Sequence, residues 1–359
     1  HSTPGLQGGF IWEFWDHGIE QTMPDGTKRS AYGGDFGEVR HDGNFVCDGM
    51  VFPDRTPKPA MHEFKAIAAP VVISTTRASS GSFTLTNRQF FKNLSDFDCY
   101  WSINRSGEIV DSGKVLLPTI APQKSAKISI KSPALLKADG TGERFITFTV
   151  VQKNRTDWAP ANHEVAWNQF VLPSRKQVIA KSKPESFFTM TVDESGEIQI
   201  PFAQIAPELS LWRAPTDNDR IGRFADKWEQ LGLRDLNRTD CTITESAQSF
   251  KVVSDWQTSA GIKVRQLQVV TPVDDGYSVK ETIVLPKKLD DLPRIGISFE
   301  IDGALSHYTY FGIGPHETYP DRKIGRVGTW QSTVSDQYTP YVRPQENSGH
   351  AGVRSFTLT

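Results

Sequence analysis

The sequence is poor in cysteine and carries no strong charge of either sign over its 359 residues. Its three cysteines, Cys47, Cys99 and Cys241, are far apart and odd in number, which argues against a disulfide framework and favours small buried apolar side chains. The formal net charge of -2 argues against a nucleic acid or an anionic membrane as partner, because both usually require a basic surface.

Long apolar runs and several common catalytic motifs are also missing. No run approaches the roughly 18 residues of a membrane-spanning helix, and no signal-peptide pattern opens the chain. No Cys/His spacing indicates zinc, and neither a Gly-rich phosphate loop nor a Gly-x-Ser-x-Gly motif is present. The chain also starts without Met, from which we expect a fragment or a processed start.

The most informative segment present is residues 8–17, an apolar run with two tryptophans that ends in Asp-His. Its alternation predicts a strand whose two faces are both mostly apolar, as in a parallel sheet or barrel covered on both sides. Trp15 is then most simply a core residue. Trp12 is either core or a platform facing a ligand, because barrel active sites lie at the carboxyl ends of the strands.

A loop rich in Gly and Asp and a short helix follow this segment. Residues 31–49 concentrate Asp35, Glu38, His41, Asp42 and Asp48. The carboxylates among them indicate either a hard-cation site or a surface loop whose Asp side chains bond their own backbone. The second interpretation is the simpler one. Helical spacing of apolar residues over 60–67, with prolines just before it, predicts a short helix.

The rest of the chain alternates with a period of two. About seven short segments in residues 71–172 predict an immunoglobulin-like β-sandwich, and residues 175–184 read as a polar linker. The last block is also β-rich, interrupted by a helix with Phe224, Trp228 and Leu231 on one face.

Two polar segments of the last block each have a structural and a functional interpretation. Residues 213–220 either cap the following helix through Asp219 or contact a substrate. Residues 312–322 form either a site loop or a tightly bonded turn. The isolated histidines His62, His163 and His307 are predicted to be structural.

These motifs occur together, in this order, in one family. Residues 6–12, 30–37 and 48–57, followed by 213–219, 311–322 and 338–347, resemble the long, five-domain β-galactosidases of glycoside hydrolase family 2. The resemblance spans essentially the whole chain and implies a C-terminal fragment of such an enzyme.

The fold that this resemblance implies is mainly β. Residues 1–68 would be the last strand and helix of a catalytic (β/α)8 TIM barrel, and residues 69–174 an immunoglobulin-like β-sandwich. After the linker at 175–184, residues 185–359 would form the N-terminal part of a large antiparallel β-sandwich.

The resemblance also implies a retaining mechanism with two catalytic glutamates roughly 5 Å apart. In the family both precede the motif at residues 6–12, so the chain would contain no catalytic residue, and Glu13 is an ordinary acidic position. Trp12 would form the hydrophobic wall for galactose. The Phe45 carbonyl and Asp48 would hold a sodium ion, although the family often has Asn where Asp48 stands. Four further residues would lie near the pocket in secondary roles: Asp16, His17, His41 and Asp42.

Further expectations concern cofactors, partners and location. The intact enzyme is expected to use Mg²⁺, whose catalytic-site ligands would lie upstream. The partners would be a β-galactoside and a second copy in a homo-oligomer, with no nucleic acid or membrane. The cysteine pattern favours the cytoplasm over the periplasm or secretion. Two alternatives stay open: a non-catalytic carbohydrate-binding or structural β-sandwich module, and part of a family 2 β-glucuronidase or β-mannosidase.

Overall fold

Contacts divide the chain into two compact units, which we describe separately. The first comprises residues 1–177 and 307–358, and the second comprises residues 178–306 with Thr359. The computed structural model describes residues 5–6, 8–136, 141–175, 189–246, 249–273 and 276–359. Most of the predicted linker, residues 176–184, lies outside the described residues, and the domain boundaries drawn from the sequence stay a prediction.

The opening segment differs from the buried strand expected for it. Among the described residues of this segment, only Trp15 forms a β-bridge, a parallel one to Val51, and Phe10 and Trp12 are exposed. Trp15 is also exposed over 43% of its surface, so the expectation of a core position is corrected. A parallel strand buries both faces only when neighbours cover them, and the described residues supply one bridge partner.

A hairpin and a helix complete residues 5–68. The antiparallel strands β1 (Ile19–Thr22) and β2 (Lys28–Ala31) form the hairpin. The helix α1 (Pro59–Ile67) confirms the prediction, with proline in its first turn, where no backbone donor is lost.

The predicted sandwich is confirmed by two antiparallel sheets in the described part of residues 71–172. One sheet has the order β3-β4-β7, with β3 (Val71–Ser74), β4 (Ser82–Asn87) and β7 (Ser125–Ser129). The other has the order β6-β5-β8-β9, with β5 (Phe97–Arg105), β6 (Glu108–Val115), β8 (Arg144–Gln152) and β9 (Glu164–Leu172).

The sandwich core follows directly from the period-two pattern. Phe83 and Leu85 point inward from β4 and meet Ile146 and Phe148 of β8, all fully buried. The Phe83 and Phe148 rings meet edge to face with centroids 4.7 Å apart, a favoured aromatic geometry.

A third sheet completes the first unit. Its order is β19-β18-β20, with β18 (His307–Gly314), β19 (Arg326–Thr333) and β20 (Ser355–Leu358). The Gln169 side chain bonds both backbone groups of Val327, and Arg326 lies 2.9 Å from Glu164. These contacts fasten the sheet to β9.

The second unit is β-rich, as predicted. Its largest described sheet has the order β13-β14-β15-β16, with β13 (Leu236–Ser246), β14 (Ser249–Thr258), β15 (Lys263–Val273) and β16 (Gly276–Val284). Two antiparallel pairs accompany it: β10 (Thr191–Val192) with β11 (Ile198–Gln199), and β12 (Ala203–Ser210) with β17 (Gly296–Ile301).

Two short helices, α2 (Asp217–Ile221) and α3 (Phe224–Gln230), lie between β12 and β13. The α3 helix confirms the predicted one, and Gly232 takes the left-handed conformation expected just beyond its end. Trp228 joins Leu211, Leu233 and Trp256 in the buried core of this unit.

Two expectations from the composition concern the cysteines and membrane-spanning helices. All three cysteines are free, and Cys99 is buried. Within the part of the chain that the structure describes, no helix has both the length and the apolar character needed to cross a membrane.

Candidate functional site

The opening segment is held against the loop that follows the β1–β2 hairpin. The Asp16 amide donates to the Val51 carbonyl at 3.0 Å, and the His17 amide donates to the Val46 carbonyl at 2.8 Å. The Met50 amide in turn donates to the Phe14 carbonyl at 3.0 Å. These bonds place the polar end of residues 8–17 beside residues 45–51, two regions that are separated by 27 residues of sequence.

A buried ion pair lies beneath this junction. The Lys58 ammonium is 2.7 Å from Asp16 Oδ1, and both residues are buried. The same ammonium donates to the Cys47 carbonyl at 2.9 Å, and the Gly49 amide donates to Asp16 Oδ1 at 2.7 Å. The pair therefore bonds the backbone at Cys47 and at Gly49, on either side of Asp48.

Asp48 itself is exposed, and Glu13 is the acidic group beside it. Burial raises the pKa of Glu13, His17 opposes the rise, and the Asp48 and Asp16 carboxylates add to it. His17 Nε2 lies 2.9 Å from Glu13 Oε2. The structure thus brings three predicted site residues, Asp16, His17 and Asp48, around one glutamate that the sequence analysis set aside.

The remaining predicted site residues lie in exposed turns. His41 Nδ1 accepts from the Gly43 amide, and the Asp42 carbonyl accepts from the Phe45 amide at 3.2 Å. No hydrogen bond or ion pair joins His41 or Asp42 to Asp48 within the described residues. Phe45 is 59% exposed, and Trp12 is 85% exposed.

The acidic residues earlier in this loop accept hydrogen bonds from backbone amides. Asp35 accepts from the Tyr32 amide, and Glu38 accepts from the amides of Gly34 and Phe36. Backbone bonding lowers the pKa of Glu38. The turn interpretation is therefore confirmed for Asp35 and Glu38.

A hard cation would need oxygen atoms that are not already used in hydrogen bonds. Glu13 Oε1 and Asp16 Oδ2 are buried with no hydrogen-bond partner among the described residues. Carboxylate and carbonyl oxygens are the ligands that hard cations accept. Within the described ranges, however, no three His, Cys, Asp or Glu side chains are arranged to hold a metal ion. The donor types fit a cation, and completing its shell needs backbone oxygens or water.

The segment at 213–220 has the structural role. Thr216 caps α2, and its hydroxyl and the Asp219 carboxylate form a reciprocal capping box. Arg213 Nη1 lies 2.7 Å from Asp219 Oδ2. Burial raises the pKa of Asp219, but the hydrogen bonds from Arg213 and Thr216 outweigh it and lower the pKa.

The segment at 312–322 is a tightly bonded turn, as its structural interpretation predicts. Glu317 is buried and pairs with Arg322, and it also accepts from Thr339, Tyr341 and the Ser348 amide. One carboxylate therefore connects this turn to residues 339–348.

Sequence reasoning missed one constellation. His62, predicted to stand alone, stacks on His316 with ring centroids 3.3 Å apart and planes 8° from parallel. The two residues are 254 positions apart, and no local pattern signals the contact. His163 also has a neighbour, since its ring meets Trp158 edge to face.

Family comparisons cover nearly the whole chain. Residues 1–73 match the model of the glycosyl hydrolases family 2 TIM barrel domain, and residues 83–173 match domain 4 of β-galactosidase. Residues 178–359, just over half of the chain, match the β-galactosidase small chain.

Individual relatives match along the same length. A β-galactosidase of Priestia megaterium is 30% identical over 382 residues, covering 99% of this chain and 37% of that protein. A β-galactosidase of Arthrobacter sp. (strain B7) is 31% identical, covering 99% of this chain and 39% of that protein. One of Klebsiella pneumoniae (strain 342) is 29% identical, covering 96% and 37%. The chain thus spans less than two fifths of the length of each.

Proposed function

Because this chain belongs to the β-galactosidases of glycoside hydrolase family 2, we propose that it forms part of a retaining enzyme for terminal non-reducing β-D-galactosides such as lactose. Its share of that enzyme is the substrate-facing wall and two β-rich domains. The relatives are each named β-galactosidase, which favours this substrate over a β-glucuronide or β-mannoside.

The exposure of Trp12 is the observation that carries this proposal. A large ring with 85% of its surface open, on a segment fixed by three backbone bonds, is a preformed apolar platform. Sugars offer an apolar C–H face to such a ring and hydroxyls to nearby oxygens. Glu13, the next residue, interacts with the Asp48 carboxylate, and we place the platform and the carboxylates on one surface.

Sodium binding is the second element of the proposal. The Phe45 carbonyl and the Asp48 carboxylate would hold Na⁺ beside the 6-hydroxyl of galactose, and Glu13 Oε1 and Asp16 Oδ2 are further oxygens without a hydrogen-bond partner among the described residues. Asp48 brings a full charge where the family often has a neutral Asn, so we expect tighter cation binding than an amide gives. We assign the catalytic-site magnesium ligands of the intact enzyme to no residue of this chain, as the family resemblance implies.

We assign neither the acid/base nor the nucleophile glutamate to a residue of this chain, as the family resemblance implies. Hydrolysis with retention requires two carboxyl groups roughly 5 Å apart. We therefore expect this chain by itself to bind no galactoside strongly and to turn none over. A cytoplasmic location and assembly as a homo-oligomer stay predictions.

Two measurements on the chain test the proposal. We expect no hydrolysis of an aryl β-D-galactoside above the rate of a mock purification, and no calorimetric signal with galactose or lactose. A clear hydrolysis rate that survives purification would show that the chain carries its own catalytic acid. Micromolar binding without hydrolysis would instead favour a carbohydrate-binding module.

A further inference from the structure

A polar pocket lies in the first unit. It contains neither Trp12 nor Asp48, and the proposed function does not use it. It is bounded by α1, by the start of β9 and by residues 314–316 and 324–326. Its cavity volume is about 90 Å³. The charges and hydrogen-bonding groups of its walls indicate which class of ligand it can bind.

The stacked rings of His62 and His316 form one wall. At 3.3 Å between centroids, two positive charges would repel strongly, so the stack can accept one proton but not two. No nitrogen of either ring bonds to another described residue. The nearly parallel planes also keep the ring lone pairs from converging on one metal ion.

Cations form the adjacent wall. Lys65, one turn from His62 on α1, has no carboxylate partner among the described residues, whereas Arg326 is paired with Glu164 at 2.9 Å. The Arg326 guanidinium also lies over the Trp167 ring, 5.4 Å from its centroid. Among the described residues that line the pocket, the Glu164 carboxylate is thus already paired, and the Lys65 ammonium has no carboxylate partner.

The field at the two rings is positive. Burial lowers the pKa of His62, with Lys65 and Arg322 adding to the effect. Burial likewise lowers the pKa of His316 to about 4, assisted by His62, Arg326 and Lys65. Glu63, also on α1, accepts from the amide of Ile324, another residue of the pocket wall. Among the described residues, the charged groups that shift the pKa values of the two rings are cations.

We propose that this pocket binds a small oxyanion of the phosphate or sulfate class, held by Lys65, Arg326 and one N–H of the His62–His316 stack. Charge balance favours a dianion. Beyond the Arg326–Glu164 pair, the pocket offers the Lys65 ammonium and one imidazolium, and two positive charges match a phosphate or sulfate. Without the anion both rings are neutral at pH 7, so binding takes up about one proton.

Calorimetry of the full chain with inorganic phosphate and with sulfate tests this inference. We expect saturable binding of both. Phosphate should change little between pH 7 and pH 6, because the free ion itself takes up a proton over this range. Sulfate stays a dianion and should bind about tenfold tighter at pH 6 than at pH 7, because one proton is taken up with it. At pH 7, heats measured in two buffers of different ionisation enthalpy should report that proton. Chloride at the same ionic strength should give no saturable heat.

Variants locate the site. Lys65→Gln should weaken phosphate binding at least tenfold, while Lys127→Gln, an exposed lysine on β7 outside the pocket, should leave it unchanged. In the unmodified chain, phosphate should shift the ring resonances of His62 and His316 but not those of the exposed His41. Absence of saturable binding, equal weakening by both lysine variants, or unshifted ring resonances would each overturn the inference. None of these readouts depends on galactosidase activity.

Discussion

The Lys58 ammonium lies 2.7 Å from the Asp16 carboxylate, and this pair holds the backbone on both sides of Asp48. One partner comes from the opening segment and the other immediately precedes α1. A buried pair of opposite charges therefore determines where an exposed carboxylate of the candidate sugar site stands.

Breaking this ion pair should destabilise the first unit strongly. Lys58→Met leaves the buried Asp16 charge uncompensated, and we expect a loss of about 3–5 kcal/mol in the free energy of unfolding, measured by urea denaturation. Lys28→Met is the matched control, because its pair with Glu20 is exposed and should contribute about 0–1 kcal/mol. Equal losses in the two variants would contradict the role of Asp16 and Lys58.

Gly49 should tolerate no side chain. A Cβ there would lie 2.7 Å from the Asp16 amide nitrogen and 2.8 Å from the Trp15 carbonyl carbon. Gly49→Ala should therefore cost about 1–3 kcal/mol of unfolding free energy through overpacking. Gly303→Ala, where a Cβ meets nothing within 4 Å, should change the urea midpoint little. A stable Gly49→Ala chain would show that the junction is looser than described.

Trp12 should contribute little to the stability of the chain. Trp12→Ala removes a ring that is 85% exposed, so we expect a change within about 0.5 kcal/mol. Trp256→Ala removes a ring that is 3% exposed and should cost about 3–5 kcal/mol. Both are read from urea unfolding curves, and a large loss for Trp12→Ala would mean that this ring is core rather than platform.

Stability should fall as the pH drops from 7.5 to 5 in a buffer without phosphate or sulfate. The pKa values of His62 and His316 are lower in the folded chain than the ordinary 6.5, so the unfolded chain binds these protons more tightly. Their contribution is intact above about pH 6.5 and is lost as the pH falls toward the folded-state pKa values.

The double variant His62→Gln/His316→Gln should flatten this slope, measured as the urea midpoint at each pH. His41→Gln, at an exposed position, should leave it unchanged. His350, whose pKa burial also lowers, keeps part of the slope in every variant. A slope that the double variant does not reduce would contradict the stacked arrangement.

Asp219 should stabilise the second unit through its cap. Asp219→Asn keeps the shape but removes the charge that Arg213 and Thr216 contact, and we expect a loss of about 2 kcal/mol. Asp226→Asn is the control, because its pair with Arg223 is exposed. Thermal unfolding followed by circular dichroism compares the two, and identical midpoints would contradict the prediction.

Local patterns sufficed for most of the secondary structure. Alternating residues such as Phe83 and Leu85 identified inward faces of the sandwich, because side chains of a strand alternate between two faces. Prolines marked the start of α1, because the first turn of a helix has no backbone donor to lose there. The short helix α2, which Thr216 caps, was not predicted. Strings of family motifs identified the β-galactosidase relationship.

Tertiary structure alone decided burial in the opening segment and the contacts of the charged groups. Residues 10–15 have the apolar pattern of a core strand, yet whether Trp12 is covered depends on neighbours that the pattern does not name. Asp16 with Lys58, and His62 with His316, are pairs made by folding across 42 and 254 positions. Sequence periodicity reports forces between residues a few positions apart, whereas the charge and proton balance of a site depends on which distant groups the fold brings within a few ångströms.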